Sequence, residues 1–243
     1  GNNLTASIEN NYSMNFDGDD DFVSIGTNII QSLPFTIMAD IYIDNLVVNN
    51  IILSENNNWC WYIRNPGDGS MQLEMYNQFG GWARFDYIFN ENEWYNISFS
   101  IDENNNVNST VNGENIPLIE NIMNPLILNN NENMQLGYWM MDNESFEGKI
   151  DNLSIWNYDY NEFQEIEDYI NCYPLGDEEG LVGYWNFEEG EGDIAYDLSL
   201  NENNATINGP MYNNDVAEQN CFNYSDVEIN NVDSTLFDNF TMT

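Results

Sequence analysis

The stretch "FTIMADIYID" at residues 35–44 decides the fold class, because its apolar side chains recur at every second position. One face of the stretch would carry Phe35, Ile37, Ala39, Ile41 and Ile43, and the other would carry Thr36, Asp40 and Asp44. A two-residue period is typical of a β-strand that buries one face. The stretch therefore predicts a long strand in the core of a β-sheet protein.

The same alternation continues on both sides of this strand. Short segments of this kind are separated by turn sequences such as "NPGDG" at 65–69 and "VNGE" at 111–114. Further strands are predicted at 13–17, 22–25, 50–54, 59–64, 71–76, 82–89, 94–102, 107–111, 134–139, 149–156, 181–187 and 205–208. Many short strands with regular turns predict an all-β protein, a jelly-roll sandwich of two antiparallel sheets.

One short helix is predicted near residues 161–171. The segment "NEFQEIEDYI" has Asn161 as a candidate N-cap and Gln164 three residues later, which is a capping-box arrangement. Its apolar stripe consists of Phe163, Ile166 and Ile170. We interpret this stripe as core packing rather than as a binding face.

Charge and composition exclude several classes of function. The chain has 243 residues, with 42 Asp and Glu against 3 Lys and Arg, and its formal net charge is −39. Such a surface repels nucleic acid and anionic membranes, although compositional bias alone is another explanation of the charge. The chain has no histidine, which excludes Ser–His–Asp catalysis and imidazole zinc sites. No stretch approaches the roughly 20 apolar residues of a membrane-spanning helix.

Seven motifs follow one another along the chain: "YSMNFDGDDDFVSIG", "FTIMADIYI", "NEWYNISFSID", "STVNGE", "MQLGYW", "FEGKIDNLSIWN" and "EEGLVGYWNFEEGEGDIAYDLSLNENNATINGPMYN". Taken together and in this order, they resemble the concanavalin A-like, laminin-G-like modules of secreted bacterial proteins. The resemblance covers about residues 10–217. It implies a jelly-roll fold, which in this superfamily serves lectins, adhesins, glycosidases and spacers.

The resemblance also suggests how the chain is divided. We expect an N-terminal arm at 1–9, a jelly-roll domain at 10–221, and a tail at 222–243 that is either a linker or an assembly strand. The block at 176–217 comes first in many such modules but comes last here. Either it closes the sandwich, which we favour because it is too short for a core of its own, or it opens a second, truncated module.

Cysteines flank this C-terminal block. The chain has three, Cys60, Cys172 and Cys221, so at most one internal bridge can form. A Cys172–Cys221 disulfide would close a loop of roughly 50 residues and stabilise the fold by about 3–4 kcal/mol. Such a bridge fits a secreted or cell-surface protein, and the alternative is two reduced thiols.

An acidic turn is a candidate calcium site. The segment "FDGDDDF" at 16–22 holds four aspartates around Gly18. Related modules often hold a structural calcium between an early turn and an Asp of a late strand, which the resemblance places at Asp151. The predicted ligands are Asp17, Gly18 through its carbonyl, Asp20, Asp21 and Asp151, all of them oxygen donors that calcium prefers. The alternative is a solvated acidic hairpin tip.

The strands at 59–64, 71–76 and 82–89 suggest a ligand-binding face. If their apolar residues face the core, the opposite face carries Tyr62, Arg64, Glu74, Tyr76, Trp82 and Arg84. Aromatic rings that stack on sugars, together with groups that bind hydroxyls, are typical of glycan recognition. The alternative is that Arg64 and Arg84 only neutralise Glu74 and Asp86 across the strands.

We find no catalytic residues in the sequence. Glucanases of this fold carry their carboxylates on a Glu-x-Asp-x-x-Glu strand, and no predicted strand has that pattern. We therefore expect an extracellular, non-catalytic binding or adhesion module, with calcium as cofactor and a glycan or an extracellular protein as partner. The alternatives are a structural subunit of a surface layer or filament that self-assembles through its termini, and a glycoside hydrolase.

Overall fold

Two antiparallel sheets make up the computed structural model of the chain. The structure describes residues 10–218, except 47–48, 69, 80, 124–125, 127, 129–130 and 160–171. The helix predicted near 161–171, the N-terminal arm at 1–9, Cys221 and the tail at 222–243 therefore lie outside the described residues.

The described residues form nineteen strands. They are β1 (Ser13–Asp17), β2 (Phe22–Thr27), β3 (Phe35–Ile43), β4 (Asn50–Glu55), β5 (Trp59–Arg64), β6 (Gln72–Asn77), β7 (Gly81–Asp86), β8 (Trp94–Ile101), β9 (Val107–Val111), β10 (Glu114–Asn115), β11 (Leu118–Asn121), β12 (Asn133–Leu136), β13 (Tyr138–Trp139), β14 (Glu144–Ser145), β15 (Glu147–Trp156), β16 (Leu181–Trp185), β17 (Ile194–Ala195), β18 (Ala205–Asn208) and β19 (Met211–Asn213).

Each sheet combines strands from both ends of the chain. The first has the order β10-β9-β8-β3-β15-β1-β19, with β16 also paired to β15. The second has the order β11-β7-β6-β5-β4-β12-β2-β18-β17, and β13 and β14 form a separate hairpin. This architecture confirms the prediction of an all-β jelly-roll sandwich.

The strand at 35–43 lies in the core as predicted. Its alternate side chains Phe35, Ile37, Ala39, Ile41 and Ile43 are all buried, and they belong to one apolar cluster with Trp59, Trp61 and Ile63 of the second sheet. The core therefore lies between the two sheets. Burying apolar area of this extent is the main stabilising contribution to such a sandwich.

Several predicted strands have different bounds in the structure, and two of them differ most. The strand predicted at 134–139 is interrupted at Gly137, whose φ is +85° and where an added Cβ would lie 2.3 Å from the ring of Phe16. The chain therefore leaves the second sheet at this glycine and begins the β13–β14 hairpin. The strand predicted at 82–89 ends at Asp86.

The C-terminal block contributes strands to both sheets. Strand β16 pairs with β15 and β19 pairs with β1 in the first sheet, while β18 pairs with β2 in the second. The loop after β17 is held by Asp197, whose carboxylate accepts hydrogen bonds from the backbone NH groups of Tyr184, Ser199 and Asn203. The block thus closes the sandwich, and Asp197 serves as the centre of a turn.

Candidate ligand-binding face and acidic turn

The predicted ligand-face residues lie together on the outer side of the second sheet. Cross-strand register aligns Tyr62, Glu74, Arg84 and Glu120 in one row over β5, β6, β7 and β11. The next row contains Cys60, Tyr76 and Trp82, and the row on the other side contains Arg64, Gln72 and Asp86. Alternation along each strand places these side chains opposite the core residues Trp61, Met75 and Ala83.

Glu74 is the centre of this face. It is 1% exposed, and its carboxylate is 2.6 Å from Arg84 Nε and 3.7 Å from Arg64 Nε. The hydroxyl of Tyr62 donates a hydrogen bond of 2.9 Å to Glu74 Oε1. A buried carboxylate needs such partners, so both guanidinium groups are turned toward it.

A second acidic residue binds the same arginine from the edge of the sheet. Glu120 on β11 accepts hydrogen bonds of 2.7 Å from Arg84 Nη1 and of 2.7 Å from the indole NH of Trp82. The hydrogen bond from Trp82 lowers the pKa of Glu120, and the charge of Arg84 lowers it further. The guanidinium of Arg84 also lies 4.1 Å from the centre of the Trp82 ring, which fixes the indole by a cation–π contact.

The β13–β14 hairpin covers one end of the face. The sequence analysis did not identify this hairpin. Trp139 is 5% exposed and packs with Ile51, Cys60 and Tyr62. Its ring centre lies 5.6 Å from that of Tyr76 at an interplanar angle of 65°. The signal that could have revealed the hairpin is the glycine in the motif "MQLGYW", because a glycine inside a predicted strand often marks a bend.

The hairpin also brings acidic groups to the face. Burial raises the pKa of the Cys60 thiol, and the charges of Glu144, Glu74 and Asp142 raise it further. Burial likewise raises the pKa of Glu144, which accepts a hydrogen bond of 2.8 Å from Asn49 Nδ2. The hairpin therefore adds negative charge on the side of the face where Cys60 lies.

The acidic turn gathers three of the five predicted calcium ligands. Oxygen atoms of Asp17, Asp20 and Asp21 lie within 4.8 Å of one another. Asp21 is buried, and burial raises its pKa, as do the charges of Asp17 and Asp20. Gly209 has a φ of +99°, and a Cβ there would lie 2.0 Å from Asp21 Oδ1, so only glycine leaves room for this carboxylate.

The other two predicted ligands, Gly18 and Asp151, make other contacts in the structure. The carbonyl of Gly18 accepts a hydrogen bond of 2.6 Å from Ser145 Oγ. Asp151 does not join the turn: Asp17 pairs with Glu147, and Asp151 follows four residues later on the same strand, about 13 Å away at the rise of a β-strand. The structure thus does not bring the five predicted ligands together.

Asp151 instead lies opposite another buried acid on the outer side of the first sheet. It pairs with Asp40 across β15 and β3, and the two residues are 0% and 2% exposed. Asp151 accepts hydrogen bonds from Asn10 Nδ2 and from the NH of Asn152. Asp40 accepts from Asn96 Nδ2, Asn152 Nδ2 and the hydroxyl of Tyr173. Amide NH groups therefore satisfy the carboxylate of Asp151, whereas amide and hydroxyl donors together satisfy that of Asp40.

The comparisons with known proteins agree with this fold. A family profile of the concanavalin A-like lectin/glucanases superfamily matches residues 17–164, which is more than half of the chain. No curated protein matches the chain in sequence. The described part of the chain holds no helix that could span a lipid bilayer.

Two solved structures illustrate the similarity. A candidate carbohydrate-binding protein from Bacteroides ovatus has a TM-score of 0.66 and 19% identity, over 87% of this chain and 62% of its own. The heptameric SAP-like pentraxin of Limulus polyphemus has a TM-score of 0.57 and 11% identity, over 84% of this chain and 94% of its own. This chain therefore spans 62% of the length of the Bacteroides protein, and identities this low concern the fold alone.

Proposed function

Because the chain belongs to the concanavalin A-like lectin/glucanases superfamily, we propose that it is a non-catalytic glycan-binding module. Its ligand binds the outer face of β5, β6 and β7, beside the β13–β14 hairpin. The observation that carries this proposal is the group of aromatic side chains beside Glu74 and its two arginines, namely Tyr62, Tyr76, Trp82 and Trp139.

Trp82 is the main stacking residue in this proposal. Its indole is half-buried, and Glu120 and Arg84 hold the ring in one orientation before any ligand arrives. A fixed ring loses little conformational entropy on binding, so stacking on a pyranose contributes more to the affinity. Met140 and Met141 are exposed at the tip of the adjacent hairpin and extend the apolar rim of the face.

The carboxylates of this face favour binding over catalysis. A glycosidase needs one carboxylic acid and one carboxylate on either side of the scissile bond. Here Glu74 and Glu120 both form ion pairs with Arg84, at 2.6 and 2.7 Å. Neither is a free acid, so the pair serves to position Arg84 and Trp82.

Trp82→Ala tests this function. A glycan array first identifies a bound glycan, and isothermal titration calorimetry then measures its affinity. We expect this substitution to weaken the affinity at least tenfold. Trp94→Ala is the matched control, because Trp94 is also half-buried and lies on the first sheet, away from the face. Equal binding by the Trp82→Ala variant and the wild type would contradict the proposal.

We also propose that calcium binds at the acidic turn. The donor set suits it, since three carboxylates with oxygen atoms within 4.8 Å of one another are hard ligands that repel each other without a cation. Asp17, Asp20 and Asp21 would hold the ion. Its role would be structural, because it would offset this repulsion where β1 ends and β2 begins.

Secretion is proposed on the cysteines. Cys60 is a free, buried thiol, whereas Cys172 is not free. A bridge from Cys172 to Cys221 would be stable only in an oxidising compartment, which is where extracellular modules of this fold are found. The proposed location is therefore outside the cell or on its surface.

A further inference from the structure

Both arginines of the ligand-binding face are already paired. Arg84 binds Glu74 through Nε at 2.6 Å and Glu120 through Nη1 at 2.7 Å. Arg64 lies 3.7 Å from Glu74 and donates a hydrogen bond of 3.0 Å from Nη1 to Gln72 Oε1. Since the whole chain has 3 basic residues, these are two of the few groups that could bind an anionic ligand.

An acidic sugar would have to break the close ion pairs of Arg84, or compete with Glu74 and Gln72 for Arg64. Its carboxylate or sulfate needs a guanidinium fork for strong, bidentate binding. Taking Arg84 from Glu74 would leave a carboxylate that is 1% exposed without its closest cation. An uncompensated buried charge is among the most destabilising changes known in proteins, so this exchange is unfavourable.

The field around the face also opposes an anion. Asp142 and Glu144 belong to the β13–β14 hairpin, which packs against the face through Trp139 at Cys60 and Tyr62. Asp86 adds a further carboxylate in the row of Arg64. The whole chain carries a net charge of −39, so repulsion also begins at long range in dilute salt.

A neutral sugar meets none of these costs. Its ring stacks on Trp82 and Tyr76, and its hydroxyl groups donate hydrogen bonds to carboxylate oxygens that stay paired on their other side. The side chain of Glu120 is 44% exposed, so it can accept such a bond without leaving Arg84. Carboxylates that hold an arginine and also accept from hydroxyls suit an uncharged, hydroxyl-rich ligand.

We infer that the ligand of this face is a neutral glycan, and that Glu74 and Glu120 exclude acidic sugars by occupying both arginines. This inference rests on the proposed glycan-binding function and adds the ligand class to it. Glu74 and Glu120 are thus positioning residues that determine specificity. If the charge of an acidic derivative lay roughly 7 Å from two carboxylates of the face that no cation neutralises, repulsion would weaken its binding about tenfold at low salt, relative to the neutral parent.

The experiment uses matched ligand pairs. An array carries neutral oligosaccharides beside the sialylated, sulfated or C6-oxidised derivative of each, and the wild-type protein is applied at low and at high salt. We expect the neutral member of each bound pair to bind about tenfold better at low salt. The difference is expected to shrink at high salt, because screening weakens repulsion between exposed charges.

Glu120→Gln tests the mechanism on the same array. The substituted amide keeps an acceptor for the indole of Trp82, but it removes one negative charge and leaves Arg84 in an ion pair with Glu74 alone. We expect the preference for neutral ligands to fall about threefold. Glu74→Gln is expected to lower it further, and if that buried substitution prevents folding, Glu120→Gln alone decides. Glu103→Gln is the control, because it makes the same charge change on an exposed turn between β8 and β9.

The outcomes separate the two claims. Acidic derivatives that bind as well as or better than their neutral parents would overturn this inference and leave glycan binding intact. An unchanged preference in Glu120→Gln would overturn the role assigned to the ion pairs. A protein that binds no glycan at all would overturn the proposed function, and the inference with it.

Discussion

Replacing Asp40 by asparagine is expected to stabilise the protein at neutral and alkaline pH. Asp40 is 2% exposed and faces Asp151 across two strands of the first sheet. Burial raises its pKa from 3.8 to about 6, although hydrogen bonds from Tyr173, Asn96 and Asn152 partly oppose the change. The folded protein therefore holds a proton on Asp40 more tightly than the unfolded chain does.

The sign and the size follow from this difference. A carboxyl with a raised folded-state pKa costs no stability below the unfolded pKa of 3.8, and the cost grows with pH up to about 6 and is constant above it. Roughly two pKa units correspond to about 3 kcal/mol. The sequence pI is about 4.1, and proteins tend to precipitate near their pI, so unfolding is best measured at pH 5–8. Over this range the cost of the buried Asp40 carboxylate rises by about 1.5 kcal/mol.

An asparagine side chain at position 40 can keep a hydrogen bond at both places that the Asp40 oxygens occupy. The amide oxygen of Asn96 has no hydrogen-bond partner, while its Nδ2 donates to Asp40 Oδ1. Rotation of the Asn96 amide would let its oxygen accept a hydrogen bond from the new amide group at position 40. Burial raises the pKa of Asp151 and the charge of Asp40 raises it further, so removing that charge favours the folded state in the same direction.

The assay is urea unfolding of the wild type and the Asp40→Asn variant at several pH values from 5 to 8. We expect the difference in unfolding free energy to rise in favour of the variant by about 1.5 kcal/mol across this range. Asp86→Asn makes the same change in net charge at an exposed position and is expected to give a difference that does not depend on pH in this way. A difference for Asp40→Asn that is constant or falls with pH would refute the reasoning.

Three further predictions concern the turn, the cysteines and the closing loop. Calcium at 100-fold excess over its Kd is expected to raise the Tm by about 5–10 °C, and Asp20→Asn, but not Asp19→Asn, is expected to abolish the rise in differential scanning fluorimetry. Cys172→Ser is expected to lower the unfolding free energy by about 3–4 kcal/mol under oxidising conditions and to make it insensitive to a reducing agent. Asp197→Ala leaves three backbone NH donors without their acceptor. It is therefore expected to cost about 3 kcal/mol or more in urea unfolding, and a cost below about 1 kcal/mol would contradict that role.

The sequence predicted the strands well because their signals are local. Alternation of apolar residues and turn residues such as Asn and Gly act over a few positions, and most non-glycine residues with positive φ in the described part are Asn. The row Tyr62, Glu74 and Arg84 could be predicted for the same reason. A strand, once recognised, fixes which side chains share a face.

The rest of the site depends on contacts between distant segments. Glu120 reaches Arg84 only because β11 pairs with β7, and Trp139 reaches Tyr76 only because the chain bends at Gly137. The pairing of Asp151 needed the register of β1 and β15, which places Glu147 and not Asp151 opposite Asp17. The sequence analysis predicted Asp151 as a calcium ligand, but it did not indicate that its partners are Asn10 and the backbone of Asn152.

The buried carboxylates of this acidic protein differ in whether a cation lies beside them. Glu74 is buried beside Arg64 and Arg84, and Lys149 lies 3.3 Å from Asp215 and over the ring of Tyr42. No cation of the described residues is paired with Asp40 or Asp151, which depend on neutral donors. The hydrogen bond from Trp82 and the charge of Arg84 lower the pKa of Glu120, whereas burial raises the pKa of both Asp40 and Asp151. The ion pair of Glu120 with Arg84 is therefore expected to persist at pH values where the Asp40–Asp151 pair changes its charge, so ligand selectivity and pH-dependent stability can be altered independently by mutation.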